Sequence, residues 1–266
     1  MTDSPAQPRS APLAATVPLP VESLRFSTGL RDCSYLPKEQ SSLMYRFYPE
    51  LAPDQLEQFL MRGWRRFGMQ IFRPNCPNCQ QCVSLRVPVA EFTPSRSQRK
   101  VLQRNQRISW RVQTPTVTPD HVQLYNRWHA ERTESRGWSV SHLNAAEYAE
   151  SFLFGDFPSL REFLYFDGDE LVGVGLVDVM PHSLSSAYVY YAPEWSPLSP
   201  GTYAALAEIE FARQTGRDYV YFGYWIEDCP SMAYKNRFRP HELLAGLPAD
   251  DEAPVWRRTD TTSDPH

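Results

Sequence analysis

The sequence predicts an α+β fold whose mainly antiparallel sheet is built by the C-terminal half of the chain. Two observations carry this. Between Arg161 and Tyr191 three runs of strand composition follow one another with only turns between them. Amphipathic runs with helical spacing stand before and after that meander. Strands in a block with helices outside it belong to the α+β layer class and not to an alternating parallel one.

Taken in order, residues 1–22 are rich in Pro, Ala and Ser and hold no aromatic, so they are expected to be disordered. They lack the apolar run and cleavage pattern of a secretion signal, and a cytoplasmic protein is expected. No stretch approaches the roughly 18 apolar residues that span a bilayer. Residues 23–111 are expected to form a Cys-containing basic α/β domain. Within it, Pro53 stands at a first-turn position of a helix reaching Trp64, with Leu56, Phe59 and Leu60 at core spacing. A Pro- and Cys-rich loop follows over Phe72–Cys82, then a strand over Val83–Val89. Ser95 is placed to cap a basic helix running to Asn105, and Ile108–Val112 reads as a short strand.

Residues 112–247 are expected to form the second domain. Pro119–Gly137 and Ala145–Phe154 read as helices, and Arg161–Phe166, Glu170–Val179 and Ser185–Tyr191 as successive strands. The FDGDE segment, Phe166–Glu170, is a hairpin turn signal. A helix over Thr202–Thr215 puts Tyr203, Leu206, Ile209 and Ala212 on one face, with Ser199 in capping position, and Tyr219–Tyr224 is a further strand. Two helices, a meander, a helix and a strand fit an acyltransferase fold of the N-acetyltransferase (GNAT-like) type. Residues 248–266 read as a flexible tail.

The charge is unevenly spread. The formal net charge is −4. Yet Arg62–Arg111 holds eleven basic residues against the single acid Glu91, so that segment is strongly positive and the remainder acidic. Such asymmetry points to a polyanion site or to a solvated basic face. Five cysteines are present, and Cys76, Cys79 and Cys82 form one C-x-x-C-x-x-C run that Cys33 completes to four thiolates. Close spacing in a reducing compartment suits zinc or an iron–sulfur cluster, or else four reduced cysteines packed together. Cys229 stands alone and reads as a small buried residue.

Three segments together resemble the arginyl-tRNA–protein transferase family, in its bacterial aspartate/glutamate leucyltransferase branch. They are GWRRFGMQIFRPNCPNCQQCVSLRVPV (Gly63–Val89), FTPSRSQRKVLQRN (Phe92–Asn105), and the pair Ser185–Arg213 with Tyr221–Leu244. The resemblance covers Ser27 to Leu244. It implies a C-terminal acetyltransferase-like catalytic domain, leucyl-tRNA as donor, proteins beginning with Asp or Glu as acceptors, and a mark for N-degron degradation. It also links the cysteine set to an iron–sulfur cluster. Leu36 departs from the family's pattern by standing where eukaryotic members carry a second cysteine after Cys33.

Site residues follow from the chemistry. An acidic acceptor side chain entering a partly dry pocket needs a cation, and Arg pairs with a carboxylate bidentately. Arg65 and Arg66 are the first candidates, Lys235 and Arg237 the second. Asp178, in an apolar strand, is placed to orient or deprotonate the amine, and Tyr188 and Tyr190 to line the pocket or donate to the oxyanion. Arg96, Arg99, Lys100, Arg104 and Arg107 broadly share a helix face that suits RNA phosphates. Thr202 stands at a helix start that a terminal ribose can approach. The same chemistry with arginyl-tRNA, a coenzyme A-dependent N-acetyltransferase and a non-enzymatic tRNA-binding or redox-sensing module are the competing readings. The coenzyme A reading lacks its Gly-rich pyrophosphate loop, since only Gly201 remains there.

Overall fold

A computed structural model describes residues 21–259. The first half begins with strands β1 (Leu24–Ser27), β2 (Arg31–Asp32), β3 (Gln40–Ser41) and β4 (Leu43–Phe47), then helix α1 (Pro53–Met61), then β5 (Arg65–Phe67) and β6 (Gln70–Pro74). β2 and β3 form a hairpin, and the others make a four-stranded antiparallel sheet in the order β1-β4-β6-β5. The expected loop over Phe72–Cys82 is therefore a strand as far as Pro74. Short strands with mixed polarity leave little alternation to read.

The chain continues through β7 (Val83–Pro88), α2 (Arg96–Arg104), β8 (Ile108–Gln113), α3 (Pro119–Arg136) and α4 (Ala145–Phe152). The meander is β9 (Leu160–Asp167), β10 (Glu170–Val179) and β11 (Ser183–Tyr191). A 3-10 turn over Pro193–Leu198 leads into α5 (Pro200–Gln214), β12 (Tyr219–Trp225), α6 (Pro230–Ala233), β13 (His241–Leu244) and β14 (Trp256–Thr259). These strands form one eight-stranded sheet, β14-β13-β7-β12-β11-β10-β9-β8, antiparallel except between β11 and β12.

Local chemistry explains the helices. Ser95 Oγ accepts from the Gln98 amide, and Gln98 Oε1 accepts from the Ser95 amide, closing a reciprocal cap on α2. Thr118 caps α3, which ends at Gly137 in the left-handed conformation, φ 67°. Ser199 precedes α5 with φ 62° and no side-chain cap, so the capping expected of its hydroxyl is not made; its carbonyl accepts from Thr202 and Tyr203 instead.

Helices cover both faces of the large sheet. Phe163 and Tyr165 pack under α5, against Phe211 at 5.4 Å and Tyr203 at 6.1 Å. Glu162, one residue away and so on the other face, meets His121 of α3 at 3.2 Å. One hydrophobic cluster runs from Tyr48 to Phe238 through both halves of the chain.

Two sequence expectations are corrected. A boundary at 111/112 does not divide the structure, because β7 and β8 belong to the same sheet as the later strands; propensity cannot show such long-range pairing, as of Pro88 with Tyr219. The described part of the expected C-terminal tail contains β14, which pairs with β13. Of the expected tails, residues 1–20 and 260–266 lie outside the described residues, while Glu22 bonds Arg46 and Tyr48. Among the described residues no helix is long and apolar enough to cross a membrane.

Candidate active site

β11 and β12 pair over only three residues, Ser183–Ser185 with Tyr219–Tyr221. Beyond them β11 carries Ala187 unpaired against β10, and β12 carries Phe222 unpaired against β7. A bulge bends the strand that holds it, and pairing between β11 and β12 ends at these two. The Arg65 guanidinium, delivered from β5, occupies the gap. Its Nη2 donates to the Ser186 carbonyl at 2.6 Å, and it lies 5.9 Å from the Tyr224 ring centre. On the other wall Gly223 has φ +72°, and a Cβ there would fall 1.0 Å from Arg65 Nη1. Glycine is thus required twice, by its backbone angle and by the side chain it faces.

Titratable groups gather around this guanidinium. Glu208 of α5 is 1% exposed. Its Oε1 accepts from Ser186 Oγ at 3.2 Å, while Oε2 has no partner among the described residues. Burial pushes its pKa up to about 8 against the opposing pull of Ser186 and Arg65. Lys235, in the turn after α6, is 8% exposed and donates Nζ to the Tyr224 carbonyl at 2.7 Å. Burial, then the positive charge of Arg65, brings its pKa down to about 7. Burial likewise lowers the pKa of Arg65 itself. A carboxylate entering here meets two cations whose charge it would stabilise.

The other predicted residues have different fates. Arg65 and Arg66 are neighbours on a strand, so their side chains leave opposite faces. Arg66 is 4% exposed and forks onto Asp178 at 2.8–3.0 Å; Asp178, 1% exposed, also accepts from Ser159 at 2.9 Å. Each satisfies the other, which corrects Asp178 as a base and Arg66 as a carboxylate ligand. Tyr190 is fully buried with its hydroxyl on that of Tyr148 at 2.7 Å, so it is a core residue and not a pocket wall. Tyr188 is half-buried, bonds His129 Nε2 at 2.9 Å and packs on Phe67 and Phe152. The bulge at Ala187 turns it away from the face on which Ser186 meets Glu208. Arg237 is exposed, and its carbonyl accepts from Gln98 of α2.

The basic segment disperses. Arg86 pairs with Glu242, Arg107 with Asp167, Arg73 lies 4.4 Å over Trp64, and Arg111 lies 4.8 Å over Phe166. Arg96, Arg99, Lys100 and Arg104 stay exposed on α2. The C-terminal end of that helix is held to the 3-10 turn before α5 by Asn105, which donates to the Leu198 carbonyl and accepts from Trp195 Nε1 at 2.7 Å. Thr202 lies half-buried in the first turn of α5. Ser186, Glu208 and Tyr224 were not among the sequence candidates. Glu208 carried one readable signal, an acid embedded in the apolar run ALAEIEF.

Cys33, Cys76, Cys79 and Cys82 line one hollow of about 620 Å³ whose walls include Leu43, Phe72 and Tyr224. Among the described residues no three His, Cys, Asp or Glu side chains converge as a metal ligand set. Burial, then the neighbouring cysteines, push the Cys82 thiol up to about 12. The four cysteines share a cavity, as their spacing suggested, but among the described residues they do not converge into the ligand set that the expected zinc or cluster would use.

Comparison with known proteins gives two family matches. Residues 120–245 match the model described as "Arginine-tRNA-protein transferase, C terminus", and residues 31–100 the one described as "Arginine-tRNA-protein transferase, N terminus". A curated aspartate/glutamate leucyltransferase of Helicobacter hepaticus is 37% identical over 233 residues, 88% of this chain and 97% of that protein. One of Aeromonas hydrophila is 39% identical over 219 residues, 82% and 90% of the two chains. Among solved structures, the C-terminal domain of a putative lysylphosphatidylglycerol synthetase from Agrobacterium fabrum aligns with TM-score 0.47 at 12% identity, over 82% of this chain and 79% of that one.

Proposed function

Because the chain belongs to the arginine-tRNA–protein transferase family, we propose that it moves leucine from leucyl-tRNA onto the N-terminus of proteins that begin with Asp or Glu. The transfer marks those proteins for degradation, in the cytoplasm where charged tRNA resides. The large sheet with its meander, α5 and diverging β11 and β12 is read as an acetyltransferase-like (GNAT-like) scaffold. The observation that carries the acidic preference is the Arg65 guanidinium held in the strand gap with Lys235 beside it.

The reaction needs no ATP, because an aminoacyl ester is already activated. The acceptor amine attacks the ester carbonyl carbon; a C–N bond forms, and the C–O bond to the ribose breaks. The proton lost by the nitrogen ends on the departing ribose oxygen. A free α-amine has a pKa of about 7.7–8.0, so about 10–20% is neutral at pH 7 and positioning supplies much of the rate. Lys235 and Glu208 titrate near neutrality beside Arg65, and either can hold the proton in transit. Arg65 takes the acceptor carboxylate, which in turn favours the protonated form of Lys235. The exposed face of α2, Arg96, Arg99, Lys100 and Arg104 with Arg107 at its end, is assigned to acceptor-stem phosphates. Thr202 lies where the terminal ribose approaches α5.

A transfer assay tests this. Labelled leucine from leucyl-tRNA is expected on peptides beginning with Asp or Glu and not on those beginning with Ala, and arginyl-tRNA is expected to be a poor donor. Equal transfer to all three peptides would remove the carboxylate pocket, and preference for arginyl-tRNA would reassign the donor.

A further inference from the structure

One face of the four-stranded sheet carries a feature that the carboxylate site does not use. Phe26 on β1 pairs in register with Tyr45 on β4, Tyr45 with Phe72 on β6, and Phe72 with Arg65 on β5. Cross-strand partners point to the same face. Three rings therefore stand in one row across the sheet and end at the guanidinium in the strand gap. Phe26 and Tyr45 stack at 5.4 Å between centroids with 25° between planes, and Tyr45 and Phe72 follow at 5.8 Å and 35°. The row grades outward: Phe72 and Tyr45 are half-buried, and Phe26 is 43% exposed on the edge strand.

A contiguous row of rings that opens toward a sheet edge is the kind of apolar patch that marks a surface for another molecule. The occupant that fits is a single-stranded nucleic-acid end. Antiparallel sheets with aromatic rings on one face bind unpaired nucleotides by stacking, which tolerates any base. The hollow beside the row, which Phe72 lines, has Arg31 on its wall, and among the described residues its lining holds no carboxylate, which suits a polyanion. Strands stand about 4.8 Å apart, so three rings cover a stretch suited to the last few nucleotides of a tRNA's unpaired 3′ end. The last ring stands beside Arg65, where the ester must arrive.

Resting on the reading of this chain as a tRNA-dependent transferase, we propose that Phe26, Tyr45 and Phe72 form a stacking platform for the unpaired 3′ end of the donor tRNA, guiding its ester from the sheet edge to the gap at Arg65. The platform binds by ring faces and is indifferent to the acceptor peptide.

Binding of uncharged leucine tRNA, with its last three nucleotides and with them removed, tests the platform on the full chain. Stacking contributes about 1–3 kcal/mol per base, a factor of roughly 5 to 150. Phe26→Leu keeps the site apolar at an exposed edge and is expected to weaken the intact tRNA by about 5-fold or more, with binding of the shortened tRNA and the KM for an Asp-starting peptide unchanged. Phe26→Trp is expected to restore intact-tRNA binding, and Tyr45→Leu to repeat the loss. An intact-to-shortened ratio equal to that of the unaltered protein overturns the platform alone. A loss that appears in the peptide KM gives the face to the acceptor instead. Unaltered protein that binds neither RNA and transfers nothing removes the transferase reading together with the platform.

Discussion

Replacing Lys235 by Met is expected to stabilise the protein at acid and neutral pH while lowering its activity. Lys235 is buried, its one bond goes to the Tyr224 carbonyl, and its pKa falls from 10.5 to about 7. Between those values the unfolded chain binds a proton that the folded chain does not, so this residue makes stability rise with pH through that window. At pH 6 the shift costs the folded state about 5 kcal/mol, and at pH 9 about 2 kcal/mol. Methionine fills the volume of the stem without the charge but forfeits a charged hydrogen bond of about 1.5–3 kcal/mol. The net gain for Lys235→Met is then about 2–3 kcal/mol at pH 6 and close to zero at pH 9. Urea denaturation at the two pH values measures it, provided the slope with denaturant is unchanged. Midpoints of the variant and the unaltered protein that move in parallel from pH 6 to pH 9 would refute the burial argument. Transfer should fall in the variant at both.

Arg65→Ala is expected to lower kcat/KM for peptides beginning with Asp or Glu by about 2–5 kcal/mol in transition-state terms, and for Ala-starting peptides far less; equal losses argue that Arg65 is architectural. Gly223→Ala should reproduce that loss by expelling the guanidinium, with about 1–3 kcal/mol of destabilisation from its left-handed backbone; full activity would mean the strand gap is wider than described. Asp178→Asn leaves Arg66 buried with a weakened partner and should cost up to about 3–5 kcal/mol in thermal or urea unfolding. Because that pair lies outside the gap, the remaining folded enzyme should keep its preference for acidic acceptors.

Legibility of the sequence followed the range of the interaction. The α2 cap was readable because Ser95 and Gln98 are three residues apart, and the meander because FDGDE marks its first turn. Asp178 in an apolar strand looked like a functional acid; its partner, 112 positions earlier, could not be seen, and the pairing makes it structural. Arg65 and Arg66 were indistinguishable by residue type, and only the strand alternation separates their roles. The tyrosines on β11 were assigned to one wall because regular alternation was assumed. The bulge at Ala187, which nothing in SSAYVYY announces, reverses the faces. Glu208 was hidden as one acid among apolar neighbours on a helix, and only tertiary packing shows that one of its oxygens is unmatched.

The place of β7 between β12 and β13 bears on how the polypeptide is made. During synthesis this wholly interior ribbon emerges from the ribosome more than a hundred residues ahead of either neighbour. Until both arrive its backbone amides and carbonyls have only water as partner, and its apolar side chains are open to wrong associations. Closure of the large sheet is therefore expected late in synthesis. A nascent chain halted before Tyr219 would hold Arg65 yet lack the two strands that flank β7, whereas separately produced halves that meet in time could knit through that central seam.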